Sequence, residues 1–128
     1  MRPGLRATFP GTPAGVGEIR QRVADVARRA GLDERRIDDV RLATSEAASN
    51  AVVHAYRDGP TGEIRVSVEV QAEELLIVIA DDGPGMVPRP DSPGLGLGLP
   101  VITTVSDRME VVSEHGGTEL HIAFRLAS

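Results

Sequence analysis

The chain has 128 residues, 41% of them hydrophobic and only 2% aromatic, which is enough for one domain whose core is built from Val, Leu, Ile and Ala. It has no cysteine, which excludes disulfides, thiolate metal sites and cysteine nucleophiles. A formal net charge of -5 opposes a direct nucleic-acid-binding role. All fourteen cationic residues are arginine, so a Walker-type phosphate loop, which needs lysine, is excluded.

In chain order, residues 5–9 alternate apolar (Leu5, Ala7, Phe9) and polar (Arg6, Thr8), which predicts a first strand. Residues 10–17, rich in Pro and Gly, read as a loop. Ile19, Val23, Val26, Ala27 and Ala30 recur at helical spacing over 16–30, and Gly31 fits the helix end. Asp33 caps a second predicted helix that runs to about residue 56, with Ile37, Val40, Ala43, Ala47 and Ala51 as its apolar stripe. After a turn at 58–62, residues 64–71 alternate as a strand with one wet face. The turn at 72–74 leads into an apolar strand over 75–80, and so short a link implies an antiparallel hairpin. A short helix over 99–106, with Pro100 at its start, precedes a strand over 109–113 and a last alternating strand over 119–126. Half-wet strands imply a sheet covered on one side, hence a two-layer α/β sandwich of about five strands and three helices over residues 1–128. No apolar run reaches the length of a membrane span and no signal peptide is visible, so a cytoplasmic protein without a membrane association is expected.

Four stretches carry the chemistry. The run from Ile79 to Met86 ends an apolar strand on Asp81 and Asp82 and opens into Gly83-Pro84-Gly85. A strand that stops on a carboxylate beside glycines can hold that carboxylate at a pocket rim, although Asp-Gly-Pro-Gly is also ordinary turn chemistry. Upstream, Glu46, Asn50 and His54 sit four apart and so share one helix face, where exposed polar residues are common. Downstream, glycine occupies every second position in Gly94-Leu95-Gly96-Leu97-Gly98-Leu99, and Gly116-Gly117-Thr118 opens the last strand.

These four boxes, in this order and over roughly the whole chain, resemble the nucleotide-binding boxes of the GHKL ATPase superfamily. They look most like its single-domain branch, the anti-sigma-factor serine/threonine kinases. The resemblance implies a histidine-kinase-like ATPase fold with a mixed, mostly antiparallel sheet and all three helices on one face. It implies ATP and Mg²⁺ as cofactors. Asp81 matches the adenine-binding aspartate, with Gly83, Gly85 and Met86 beside the base and sugar and Thr118 supporting that site. Asn50 matches the Mg²⁺ ligand and Glu46 the general base. Gly94, Leu95, Gly96, Leu97 and Gly98 match the base of an ATP lid that is short here, with Arg89 its only cation. His54 is expected to have a structural or phosphate-side role.

The function implied is an anti-sigma factor that sequesters a sigma factor and phosphorylates an anti-anti-sigma (STAS-type) protein, with a homodimer left open. The alternative is a nucleotide-gated protein-binding module with little or no kinase activity. A histidine-kinase catalytic domain would need dimerisation helices and a phospho-accepting domain, and a gyrase-like machine would need a transducer domain. None of these is read in the sequence, so neither is the expected function.

Overall fold

The computed structural model describes residues 3–56, 62–81, 95–114 and 117–126. Among these the order is β1 (Gly4–Pro10), α1 (Pro13–Arg29), α2 (Glu34–Tyr56), β2 (Glu63–Gln71), β3 (Glu74–Asp81), α3 (Leu95–Val105), β4 (Arg108–Glu114) and β5 (Gly117–Arg125). The strands form one sheet in the order β1-β2-β3-β5-β4. Every adjacent pair is antiparallel, so the sheet is antiparallel throughout, where the resemblance implied a mixed one. β5 lies between β3 and β4, so the chain leaves β3, passes through α3 and returns one strand further out.

Alternation sorts the side chains. Ile64, Val66 and Val68 of β2, Leu75, Ile77 and Ile79 of β3, and Leu120, Ile122 and Phe124 of β5 are all buried. The register lines them up across the sheet, with Val66 opposite Ile79 and Ile79 opposite Leu120. Each such burial contributes about 1.5–3 kcal/mol. The helices cover this face: α1 packs on β1 and β2, α2 on β3 and β5, and α3 on α2 and the edge strand β4. Arg6, Thr8, Arg65, Ser67, Glu119 and His121 point the other way. β3 is apolar on that side too, through Leu76, Val78 and Ala80, which is why residues 75–80 read as an unbroken apolar run.

The helix ends follow their capping chemistry. The Oγ1 of Thr12 accepts from the Gly15 amide at 3.1 Å, and Pro13 takes the first helical position, where its missing N–H is not needed. α1 therefore starts three residues before the predicted 16, inside the stretch read as a loop. Gly15 is there for packing: a Cβ on it would lie 1.9 Å from the Pro10 carbonyl oxygen. At the other end Gly31 adopts φ +100°, the Gly31 amide donates to the Arg28 carbonyl (3.1 Å), and the Leu32 amide donates to that of Ala27 (3.2 Å). This is a Schellman ending with Leu32 tucked into the core. The expected Asp33 cap is present, its Oδ1 accepting from the Arg36 amide at 2.9 Å.

The third helix also begins earlier than predicted, at Leu95 rather than residue 99. Gly96 and Gly98 lie within its first turn and Pro100 is its sixth residue. A proline there removes the donor for the Gly96 carbonyl. Further along, Thr103, Thr104 and Ser106 return their hydroxyls to the carbonyls of Leu99, Pro100 and Ile102 at 2.9, 2.8 and 2.6 Å. Among the described residues no helix is long and apolar enough to cross a membrane.

Candidate functional site

Asp81 is the last residue of β3 and stands in register with Thr118 at the start of β5. The two-residue spacing that buries Ile77 and Ile79 carries Asp81 onto the same, helix-covered face, and Thr118 follows from Leu120 in the same way. Both are deep, with 6% and 2% of their surface exposed. Burying a charge is costly unless hydrogen-bond donors meet it, which makes a carboxylate this deep at a strand end a candidate recognition group rather than a surface charge. The carboxylate can accept a hydrogen bond from a ligand N–H.

Asn50 is the candidate contributed by the helix layer. It lies on α2, the helix that packs over β3 and β5. It is 6% exposed, and its amide nitrogen has no hydrogen-bond partner among the described residues. An orphaned buried donor costs about 1–3 kcal/mol. An oxygen-rich ligand would supply the missing acceptor, and the amide oxygen on the same group suits a hard cation. Among the described residues no group of three or more His, Asp or Glu side chains converges on one point. A Mg²⁺ ion held through Asn50 would therefore take its remaining ligands from phosphate oxygens and water.

Glu46 lies one turn before Asn50 and is half-buried. Other carboxylates of this helix are engaged by arginine: Asp38 by Arg41 at 2.8 Å, Asp39 by Arg36 at 3.6 Å and Glu34 by Arg28 at 3.2 Å. Glu46 has no ion pair among the described residues, which leaves its carboxylate available to a substrate proton.

Leu95, Gly96, Leu97 and Gly98 turn out to be the first four residues of α3. Those are the positions whose amides lack intrahelical acceptors, and a helix N-terminus is a ready site for anionic oxygens. Gly83, Gly85, Met86 and Gly94 lie outside the described residues, as do Asp82 and Arg89. His54 is within α2, but its side chain is outside the described set. Sequence reasoning assigned no role to Thr44, which is fully buried with its hydroxyl unpartnered among the described residues. In the sequence Thr44 shows only as an interruption of the apolar stripe of Val40, Ala47 and Ala51, which does not reveal the state of its hydroxyl.

One displaced titration lies away from this cluster. Asp107, between α3 and β4, is held below the usual aspartate range mainly by the Arg125 amide donating to Oδ2 at 2.6 Å. Burial opposes that shift, and the Arg36 guanidinium at 2.6 Å reinforces it. A shallow depression of about 480 Å³ lies on the uncovered face of the sheet, between Arg6, Arg65, Ser67, Val78 and Glu119, behind the cluster rather than in it.

A family model described as "Histidine kinase-like ATPase domain" matches residues 9–124. The chain is 35% identical to a protein named serine-protein kinase RsbW from Bacillus pumilus, over 89% of this chain and 81% of that protein. It is 33% identical to the protein of the same name from Bacillus subtilis, with the same coverage. It is 36% identical to an anti-sigma F factor from Clostridium beijerinckii, over 79% of this chain and 80% of the relative. Among solved structures, the RsbU and RsbW domains of a Mycobacterium tuberculosis protein superpose with a TM-score of 0.78 at 23% identity, over 98% of this chain and 33% of that one. The histidine kinase domain of a blue-light activated kinase from Erythrobacter litoralis superposes at 0.65 with 22% identity, over 88% of this chain and 60% of that one.

Proposed function

Because the chain belongs to the histidine kinase-like ATPase domain family, we propose that it is an ATP-binding anti-sigma factor and protein serine kinase, acting as one domain over residues 1–128. The observation that carries this reading is the buried amide of Asn50, left without a partner on the helix that covers the Asp81 strand. In this reading the Asp81 carboxylate accepts from the exocyclic amine of adenine. Guanine presents an oxygen there, so the same residue excludes GTP by leaving two acceptors facing each other. Thr118, beside Asp81, supports the base site, and Gly83, Gly85 and Met86 line the base and sugar. The amides of residues 95–98, with Gly94 before them, meet the phosphates.

Asn50 would hold Mg²⁺, which when bound neutralises charge on the phosphate oxygens. Glu46 takes the proton of a serine hydroxyl on an anti-anti-sigma protein. As the serine oxygen bonds to the γ-phosphorus, the bond from that phosphorus to the departing ADP oxygen breaks. The relatives named serine-protein kinase RsbW and anti-sigma F factor support both halves of this role. A sigma factor is the second partner, held inactive in the cytoplasm by binding.

The test mixes the protein with Mg-ATP and the anti-anti-sigma proteins of its genome and looks for phosphoserine. Transfer by the wild type that disappears in Glu46→Ala is the expected result. ATP binding without transfer to any of them would replace the kinase with a nucleotide-gated binding module.

A further inference from the structure

Leu42 is exposed over 42% of its surface, and with Val111 (38%) it is one of two exposed large apolar side chains among the described residues. A lone surface leucine calls for no explanation; its position does. Leu42 lies one helical turn before Glu46, so the two side chains are neighbours about 6 Å apart on one face of α2. Around them the helix presents Asp38, Ser45 and Ser49, which makes Leu42 an apolar point on a polar ridge. Asp38 is already engaged by Arg41, and Glu46 has no ion pair among the described residues.

Geometry then restricts what can lie over Leu42. A serine hydroxyl is one carbon from its main chain. To give its proton to Glu46 it must come within about 2.7 Å of the carboxylate. The main chain that carries it therefore passes beside the same turn of α2, within reach of Leu42. We propose that Leu42 is the docking contact for the phospho-acceptor protein: an apolar side chain beside the acceptor serine buries Leu42 while the serine meets Glu46. This rests on the kinase reading of Glu46 and adds to it the residue that selects the protein substrate. A small-molecule hydroxyl or water at Glu46 would not need Leu42 at all.

The experiment measures steady-state phosphorylation of the anti-anti-sigma protein by wild type, Leu42→Gln, Leu42→Met and Val111→Gln. Glutamine keeps size and helix propensity and removes the apolar contact. Leu42→Gln is expected to raise KM for the protein substrate about tenfold, as for a lost leucine burial. Its kcat and its dissociation constant for Mg-ATP stay as in wild type. Leu42→Met restores KM, and Val111→Gln, on the far edge strand, leaves it unchanged. An unchanged KM in Leu42→Gln, with transfer intact, overturns the docking role and spares the kinase. If the wild type transfers no phosphate, the kinase reading fails instead. Calorimetric binding of the same partner then decides about Leu42: a tenfold weaker Leu42→Gln complex supports docking, and equal or absent binding overturns it.

Discussion

Asn50 and Thr44 share α2 and share a defect, a buried polar atom with no partner among the described residues, and they should respond differently to removal. Asn50→Ala is expected to abolish the Mg²⁺-dependent part of ATP binding while raising stability. It deletes an orphaned donor and improves helix propensity, a gain of about 1 kcal/mol, or a few degrees in melting temperature. Thr44→Val should give a similar rise in thermal unfolding and leave ATP affinity alone, because Thr44 faces the core stripe and not the site. A fall in melting temperature for both variants would mean that these atoms are satisfied in solution. The individual site residues could be proposed from the sequence because the chemistry of such a site demands particular residue types at particular spacings, as with Glu46 and Asn50 one turn apart. Thr44 was not, because a threonine in an apolar stripe looks the same whether its hydroxyl is bonded or orphaned.

Between elements, the contacts are few and specific. The close crossing of α1 over β1 at Gly15 leaves no room for a methyl group, since the Pro10 carbonyl that it would meet is backbone. Gly15→Ala should cost about 1–3 kcal/mol in denaturant unfolding, as overpacking does, despite alanine's better helix propensity. Asp107 joins three elements: it accepts from the Arg125 amide of β5, pairs with Arg36 of α2 and sits in the turn between α3 and β4. Its pKa is lower folded than unfolded. The stability it supplies is thus present above the ordinary aspartate value of 3.8 and is lost as pH falls through the lower folded value. Asp107→Ala should be less stable than wild type near neutral pH, and the gap should narrow in acid unfolding below that value. Helices and strands were read from periodicity to within a few residues, and the exceptions have one cause. Glycine and proline at 10–17 and 94–100 signal loops locally, yet packing at Gly15 and the first turn of α3 override them.

The whole molecule is a sheet with helices on one side only, and the two-layer class followed directly from strands that alternate wet and dry. Strand order was not legible from periodicity, because nothing in the alternation of residues 109–113 or 119–126 says that β5 lies inside β4. That insertion sets Thr118 beside Asp81 across one strand pair. In the proposed reading the site needs the complete fold, with the base pocket on the sheet, the metal and base residues on α2 and the phosphate amides on α3. The most direct measurement is calorimetric titration of wild type and Asp81→Asn with Mg-ATP and Mg-GTP. ATP should bind wild type at one site per chain, GTP should give no heat, and Asp81→Asn should bind ATP about tenfold to a hundredfold more weakly while remaining folded. No heat with ATP, equal binding of GTP, or an unaltered dissociation constant in a folded Asp81→Asn would contradict the account.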